Sequence, residues 1–225
     1  MILRDITFSY DKKPIYDRFR LEIPDSKITC MLGPSGCGKT TLLNIIGGIL
    51  PYAGNVEGSG RIAYIFQQPC LIPSLTVRKN VEFVLKSQIK DKKKRKDVAE
   101  KILRSVGLSD ATDMYPAKLS GGMAQRASLA RAFAYSADVL LMDEPFKELD
   151  ISLKKQIYKL FTDLYAQKPI TTVFVTHDIE ESLVFGDKIV VLKEGKIAGE
   201  FFNDKSLPFD HAARSSLKEK IDSLI

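Results

Sequence analysis

The sequence predicts an α/β fold: a mainly parallel sheet wrapped by helices, with an N-terminal antiparallel β subdomain and an inserted α-helical subdomain. Three observations lead to this fold class. Four short runs are continuously apolar and rich in β-branched residues, which is typical of strands buried on both faces. A segment near the N-terminus alternates between apolar and polar residues, as half-exposed antiparallel strands do. Between the second and third apolar runs, about seventy residues show helical periodicity and no obvious strand.

The alternating segment is IYDRFRLEI, residues 15–23. It is expected to pair with an antiparallel strand formed by residues 2–9. Its alternation predicts one apolar face and one polar face: Ile15, Phe19, Leu21 and Ile23 on the first, and Tyr16, Arg18, Arg20 and Glu22 on the second.

The four buried runs are KITCMLG, RIAYIFQ, DVLLMDE and TTVFVTH, and each ends in a residue that can bind a ligand. Ligands of open α/β sheets bind outside the carboxyl ends of the strands. The sequence therefore predicts a ligand site at one sheet edge, built from the residues at the four strand ends: Gly33, Gln67, Asp143 with Glu144, and His177.

The rest of the chain is predicted to contain helices over 76–88, 96–108 and 122–134, a β-hairpin turning at Glu194-Gly195, and a final helix over 211–225. Gly107 is the expected C-cap of the second helix. We interpret 1–225 as a single domain. Its α/β core is expected to span about 1–70 and 136–225, and its helical subdomain about 71–135.

Composition indicates an ordinary globular protein of 225 residues with a net charge of +6. Much of the positive charge lies in the run Lys90–Asp97, which is typical of a solvated helix or loop face; an anionic-lipid or nucleic-acid site is the alternative. No aromatic residue interleaves with these lysines, which argues against nucleic acid. Three cysteines without metal-ligand spacing favour a reducing compartment. No signal peptide or membrane-spanning run is recognisable, so a cytoplasmic location is expected.

The segment GPSGCGKTT follows a predicted strand and precedes an apolar helix, which identifies a phosphate-binding P-loop. Glycines let successive backbone N–H groups point at phosphate oxygens, and Lys39 adds a positive charge. The Thr40 hydroxyl can coordinate Mg²⁺. The sheet is therefore predicted to be a P-loop NTPase core. The predicted ATP-binding residues of this loop are Gly33, Pro34, Ser35, Gly36, Cys37, Gly38, Lys39, Thr40 and Thr41.

Two carboxylates and an imidazole complete the predicted catalytic edge. Asp143 is expected to hold Mg²⁺, and Glu144 is expected to act as the general base that polarises the attacking water. His177 ends a buried strand at the same edge, where it can hydrogen-bond the γ-phosphate and hold Glu144 in place.

A second phosphate-binding element is LSGGMAQRASLARA, residues 119–132. Ser120 is a good N-cap for the helix that follows, and a helix N-terminus with small residues binds anions. Because the P-loop already serves this chain's own nucleotide, the second element raises the question of whose phosphate it binds.

The motifs match those of the nucleotide-binding subunit of ATP-binding-cassette (ABC) transporters, which the chain resembles over about residues 2–200. They occur in order: Walker A GPSGCGKTT, Q-loop FQQP, signature LSGGMAQR, Walker B LLMDEP, D-loop KELD and switch TH. In the D-loop, Lys147 and Glu148 stand where many relatives carry Ser-Ala, which leaves its detailed geometry in doubt, while Leu149 and Asp150 are retained. PFKELD, together with the signature, looks most like the nitrate, sulfonate and taurine importer branch.

The resemblance implies a head-to-tail dimer with a second copy or a homologous cassette. Ser120, Gly121 and Gly122 of one chain would cover the ATP held by the other, so the second element binds the partner's phosphate. Tyr10 is expected to stack on adenine, with a plain strand-edge role as the alternative. Gln67 would complete the Mg²⁺ ligands, beside Thr40 and Asp143.

The segment after Gln67 and the helical subdomain would contact a separate membrane permease, with a substrate-binding protein in the complex and no nucleic acid. The chain would lie in the cytoplasm against the inner face of the cell membrane. The implied function is ATP hydrolysis that energises transport, with import favoured. The alternatives are a soluble ABC ATPase of DNA repair or translation, and the ATPase of an exporter or lipoprotein-release complex.

Overall fold

The computed structural model describes residues 1–147, 149–207 and 211–225. By the contacts between its residues, the chain divides into two compact units. The first unit comprises Met1–Ile62, Asp138–Glu144 and Pro169–Ile225, and the second comprises Ala63–Ala137 and Pro145–Lys168. The predicted helical subdomain, about 71–135, falls within the second unit. The segment after Glu144, which the sequence analysis assigned to the core, clusters with the second unit as well.

Within the described ranges, the strands are β1 (Ile2–Tyr10), β2 (Lys13–Glu22), β3 (Ile28–Leu32), β4 (Ala53–Glu57), β5 (Ile62–Ile65), β6 (Val139–Asp143), β7 (Thr171–Val175), β8 (Lys188–Lys193) and β9 (Lys196–Phe202). The α-helices are α1 (Lys39–Ile46), α2 (Val77–Leu85), α3 (Lys92–Ser105), α4 (Gly121–Ala134), α5 (Ile151–Gln167), α6 (Ile179–Phe185) and α7 (Ala212–Asp222). Short 3-10 turns cover Ser109–Ala111 and Pro116–Lys118.

The first unit holds the main sheet, in which five of its strands run in the order β6-β7-β3-β8-β9. The pairs β6–β7, β7–β3 and β3–β8 are parallel, and β9 pairs antiparallel with β8 at the edge. Every residue of β3 and of β7 is buried, as their continuous apolar sequences require. A separate antiparallel sheet has the order β2-β1-β4. The predicted α/β fold class is confirmed.

The face assignment of β2 was wrong at Tyr16. The sequence analysis placed this residue on the polar face, but its side chain is 1% exposed, and Phe19 and Leu21 are buried with it. The alternation shifts because β2 carries a bulge: two steps along β1, from Ile6 to Phe8, face three steps along β2. Arg18, inside the bulge, has a φ of 48°. A bulge inserts one residue and moves the side chains beyond it to the other face.

Over its described residues, the second unit is helical apart from β5 and the connecting turns. Helices α2, α3 and α4 match the three predicted helices, although α3 begins at Lys92 rather than at Lys96. Its earlier start is explained by Asp91, whose side chain caps the helix by accepting a hydrogen bond from the Lys94 N–H at 2.9 Å. Gly107 follows the helix with a φ of 67°, which suits glycine.

Helix α5, which the sequence analysis did not assign, belongs to the same unit, and the Gln125 amide of α4 donates to the Pro145 carbonyl at 2.6 Å in the segment leading to α5. Glu148 of the predicted D-loop lies outside the described residues. Over the described ranges, no helix is both long and apolar enough to cross a membrane.

Candidate active site

The P-loop lies between β3 and α1 in the first unit. Helix α1 begins at Lys39, and its N-cap is Gly38, with a φ of 110° and no side-chain cap. The first N–H groups of an α-helix have no acceptor within the helix, so they are free to bind an anion. Of the nine predicted loop residues, Pro34, Ser35, Gly36 and Thr40 are exposed, and the other five are buried.

The Lys39 ammonium is folded into this loop. Its Nζ donates to the carbonyl of Gly33 at 2.7 Å and to that of Pro34 at 2.9 Å, and the residue is 6% exposed. A buried ammonium needs acceptors for its protons, and the loop backbone supplies them. The charge is therefore held in position at the start of α1, where a polyphosphate would meet it.

Two loop glycines are required by close approach. A Cβ at Gly33 would lie 2.2 Å from the Leu192 carbonyl oxygen, and one at Gly38 would lie 2.7 Å from the Tyr16 hydroxyl. Both residues also have a φ that side-chain-bearing residues rarely adopt. Residues of β2 and β8 therefore pack closely against the P-loop and restrict its backbone path.

Tyr16, on β2, stabilises the P-loop. Its hydroxyl donates to the Gly38 carbonyl at 2.9 Å, and its ring packs on Phe19 with 4.8 Å between centroids. Burial raises the pKa of the Tyr16 phenol, so the hydroxyl stays protonated and remains a donor. The sequence analysis missed this residue because alternation alone placed it on the polar face.

We expect Tyr16→Phe to weaken ATP binding and to lower stability, because the Gly38 carbonyl loses the Tyr16 hydrogen bond and keeps only the one from the Leu42 N–H. The loss of one such hydrogen bond costs about 0.5–1.5 kcal/mol. Calorimetry should show a lower Tm, and nucleotide titration a higher Kd. Tyr52→Phe, at an exposed position, is the control and should change neither. Unchanged Tm and Kd in Tyr16→Phe would contradict the supporting role.

Thr40 and Asp143 meet beside the loop. The Thr40 hydroxyl donates to Asp143 Oδ1 at 3.1 Å, joining the start of α1 to the end of β6. A hydroxyl that donates its proton to a carboxylate keeps its lone pairs for a cation, and Mg²⁺ prefers oxygen ligands. The pair therefore fits the metal predicted for it.

Glu144 and His177 meet at the same sheet edge. Glu144 Oε2 lies 3.0 Å from His177 Nδ1, and Glu144 is 15% exposed at its side chain whereas His177 is 55% exposed. An ionised carboxylate only accepts hydrogen bonds, so Nδ1 is the donor and Nε2 remains for another partner. The predicted positioning of Glu144 by His177 has a direct contact to support it.

The backbone at Glu144 is strained. Its φ is 42°, in a region that costs a residue with a side chain about 1–3 kcal/mol. Its N–H nevertheless donates to the Val175 carbonyl at 3.0 Å, which ties the strained residue to the end of β7. Such strain concentrates at functional sites. Here the strained residue directly follows Asp143, the carboxylate at the end of β6.

The remaining predicted site residues are Tyr10, in the first unit, and Gln67 with the signature residues, in the second. Tyr10 ends β1, is 47% exposed and packs edge-on against Phe8 at 4.8 Å. Gln67 follows β5 in the second unit and is exposed. Ser120 caps α4 as predicted, accepting from the Met123 N–H at 3.3 Å.

The two signature glycines differ in their surroundings. A Cβ at Gly122 would lie 2.5 Å from a Leu153 methyl carbon of α5, whereas one at Gly121 would meet nothing within 4 Å. Packing within the second unit explains the glycine at 122. It does not explain the glycine at 121, whose small size suits a surface that another molecule approaches.

The fold and the phosphate loop define a P-loop nucleotide-binding protein. Comparison with known proteins narrows this class. The pattern of the family described as ABC transporter matches residues 16–147, more than half of the chain, and the chain belongs to that family. It is accordingly an ATP-binding ATPase of the ABC type.

Individual relatives agree with this assignment. An ATP-binding protein of Brucella abortus biovar 1 (strain 9-941) is 40% identical over 78% of this chain and 71% of its own. The aliphatic sulfonates import ATP-binding protein SsuB of Mycobacterium sp. (strain MCS) is 38% identical, over 87% of this chain and 80% of its own. The solved structure of the ATP-binding cassette MJ0796, a dimer bound to ADP and Pi, has a TM-score of 0.78 at 29% identity, covering 91% of this chain and 99% of that one.

Proposed function

We propose that this ATPase is the energy-supplying subunit of an importer for a small sulfonate or a related oxyanion. The contact between Glu144 and His177 carries the hydrolytic part of the proposal, because it unites a carboxylate base with the residue that orients it. The kinship with SsuB, whose name denotes sulfonate import, supports the importer part, as does the PFKELD segment noted above.

In the proposed reaction, Glu144 accepts a proton from the attacking water as the new oxygen–phosphorus bond forms. The bond between the β,γ-bridging oxygen and the γ-phosphorus breaks, and ADP leaves with that oxygen. His177 holds the Glu144 carboxylate through Nδ1 and can donate to the γ-phosphate through Nε2 when protonated there. Lys39 and the first N–H groups of α1 bind the phosphates.

Thr40 and Asp143 would hold Mg²⁺, with Gln67 as the proposed further ligand. When bound, the ion supplies neutralisation of the charge that develops on the phosphates. The protein contributes the two ligands, a hydroxyl and a carboxylate that it holds 3.1 Å apart beside the phosphate loop.

The second copy in the proposed head-to-tail dimer explains the signature element. Ser120 and Gly121 are both exposed, and Gly121 has open space at its Cβ position. A helix N-terminus with these residues can accept the phosphates of a nucleotide held by another chain. The dimeric MJ0796 structure supports dimerisation as a property of such cassettes.

We expect Ser120→Arg to leave ATP binding by the monomer intact and to block hydrolysis, because the bulky cation would occupy the surface that receives the partner's nucleotide. Filter binding measures the first property and phosphate release the second. Ser105→Arg, near the C-terminal end of α3, is the matched control, since Ser105 is an exposed serine of the same unit. Parent-level turnover in Ser120→Arg would refute the shared site.

Partner capture tests the transporter assignment. A tagged Glu144→Gln variant would be isolated with ATP from its own detergent-solubilised membranes, and the co-purified proteins would be identified. We expect a multi-span permease, together with a substrate-binding protein, and a sulfonate among the compounds that the binding protein retains. Recovery of soluble proteins or nucleic acid alone would overturn the transporter assignment in favour of a non-transport ATPase.

A further inference from the structure

Helices α2 and α3 form a hairpin whose closed end is strongly basic. Six residues connect the helices, so the C-terminal end of α2 lies at the same end as the N-terminal end of α3. The Arg95 side chain closes the connection by donating to the carbonyls of Ile89 at 2.7 Å and Lys90 at 2.8 Å. We call this end the basic tip; it comprises the exposed residues Phe83, Lys86, Lys90, Lys92, Lys93 and Lys94.

The lysines of the basic tip have no carboxylate partner among the residues that the structure describes. The neighbouring Lys96 pairs with Glu100 at 3.7 Å, but no ion pair involves the tip lysines themselves. Asp91, the carboxylate nearest in sequence, is engaged in capping α3, and its hydrogen bonds to the backbone N–H groups of Lys94 and Lys93 lower its pKa. Asp91 compensates only part of this charge, through its attraction to Lys94 and Arg95, so the five lysines leave the tip strongly cationic.

This charge arrangement opposes the stability of α3. Lys92, Lys93 and Lys94 form the first turn, which contains no acidic residue. The N-terminal end of a helix carries a partial positive charge, so cations there are unfavourable. Because these three lysines weaken the helix that contains them, they indicate a role other than stabilising the fold.

Phe83 gives the basic tip an apolar component. Its side chain is 48% exposed, and the Lys86 ammonium lies over its ring, 5.3 Å from the centroid. The sequence analysis found no aromatic residue among the lysines, but the hairpin brings one to them from α2. A ring beneath a cation matches the boundary of a bilayer, where apolar groups enter the acyl region and ammonium groups remain with the headgroups.

We propose that the basic tip docks on the headgroups of anionic phospholipids at the membrane surface. Unpaired lysines supply attraction to the negative surface potential, and Phe83 supplies shallow insertion. This interaction goes beyond hydrolysis and transport, and it concerns residues remote in sequence from every nucleotide-binding motif. It would hold the second unit against the bilayer independently of the permease.

Two other partners fit less well. Single-stranded nucleic acid is bound by stacking bases on free aromatic faces, whereas Lys86 already covers a face of Phe83. An acidic protein segment would find the cations but would gain little from a protruding exposed ring. Charge together with insertion favours the lipid surface.

Vesicle flotation of the full-length protein tests the proposal. At about 0.1 M salt, we expect it to float with mixed phosphatidylcholine–phosphatidylglycerol vesicles and to stay behind with pure phosphatidylcholine. Each lysine near an anionic surface contributes about fivefold to partitioning. The triple variant Lys92→Gln, Lys93→Gln, Lys94→Gln should therefore partition to the anionic vesicles about a hundredfold more weakly than the parent. Phe83→Ser should show a loss that persists at about 1 M salt, where the charges are screened.

The matched control is Lys155→Gln, Lys159→Gln, Lys168→Gln, which removes the same charge from exposed positions in the second unit. It should float almost as the parent does. Equal loss in both triple variants, or equal flotation with neutral vesicles, would overturn the proposal. So would retention of the parent by acidic polypeptide or single-stranded DNA columns without vesicle binding.

The same samples separate this proposal from the proposed function. ATP hydrolysis without vesicles should be the same in both triple variants as in the parent. A parent that floats but does not hydrolyse ATP would contradict the proposed function alone. A parent that hydrolyses ATP but does not float would contradict the proposed lipid binding alone.

Discussion

Replacing Glu144 by Gln is expected to lower the rate of ATP hydrolysis by about 10²–10⁴-fold, because the amide cannot accept the proton of the attacking water. The Glu144–His177 contact can persist, since the amide oxygen still accepts from Nδ1. ATP binding should therefore remain, and an ATP-bound dimer should accumulate. Phosphate release measures the first effect, and gel filtration with ATP the second.

The control for this variant is Glu219→Gln, at an exposed position of α7, which should behave as the parent does. If Glu144→Gln hydrolysed ATP at the parent rate, another group would have to be the base. If it failed to bind ATP, the residue would be needed to hold the site together, and the assigned chemical role would be wrong.

Replacing Lys39 by Ala should reduce ATP affinity by about 10–100-fold, the value of one hydrogen bond to a charged group. The substitution also removes the Lys39 hydrogen bonds to the carbonyls of Gly33 and Pro34, and only the weaker bond from the Cys37 N–H remains to Pro34. Isothermal titration measures the affinity, and a melting curve reports any loss of stability. The two readouts separate a lost phosphate contact from a collapsed loop.

Lys196→Ala, on the exposed edge strand β9, removes the same charge from the first unit and should leave the affinity unchanged. Undiminished ATP binding by a folded Lys39→Ala protein would remove the basis of the P-loop assignment. A large fall in melting temperature with normal affinity would make Lys39 a structural residue instead.

The strands of the main sheet and the residues at their ends could be predicted because the relevant signals are local. Strands β3, β6 and β7 are continuous apolar runs, and Gly33, Asp143 and His177 follow them or close them in the sequence. The rule that ligands meet the carboxyl ends of parallel strands then brings these residues to one edge. The observed contacts join Thr40 to Asp143 and Glu144 to His177 across 103 and 33 positions of chain.

The position of Tyr16 could not be predicted, because it depends on a bulge that forms only when β2 pairs with β1. The φ of Glu144 likewise depends on its bond to Val175 at a neighbouring strand end. Phe83 and the lysines of the basic tip are separated in sequence by the turn that brings them to one end. In each case, tertiary contacts decide what local patterns leave open.

The two carbonyl groups that hold Lys39 make nucleotide capture an exchange rather than a simple addition. The third N–H of the ammonium can bind an arriving phosphate directly, and for the other two the phosphate competes with the Gly33 and Pro34 oxygens, which remain within the same loop throughout. They act as a tethered competitor, always present at high effective concentration. Part of the energy of phosphate binding offsets their release, so affinity is tempered. When product phosphate departs, the same oxygens are within reach of the N–H groups it leaves, so the ammonium keeps acceptors in the emptied site.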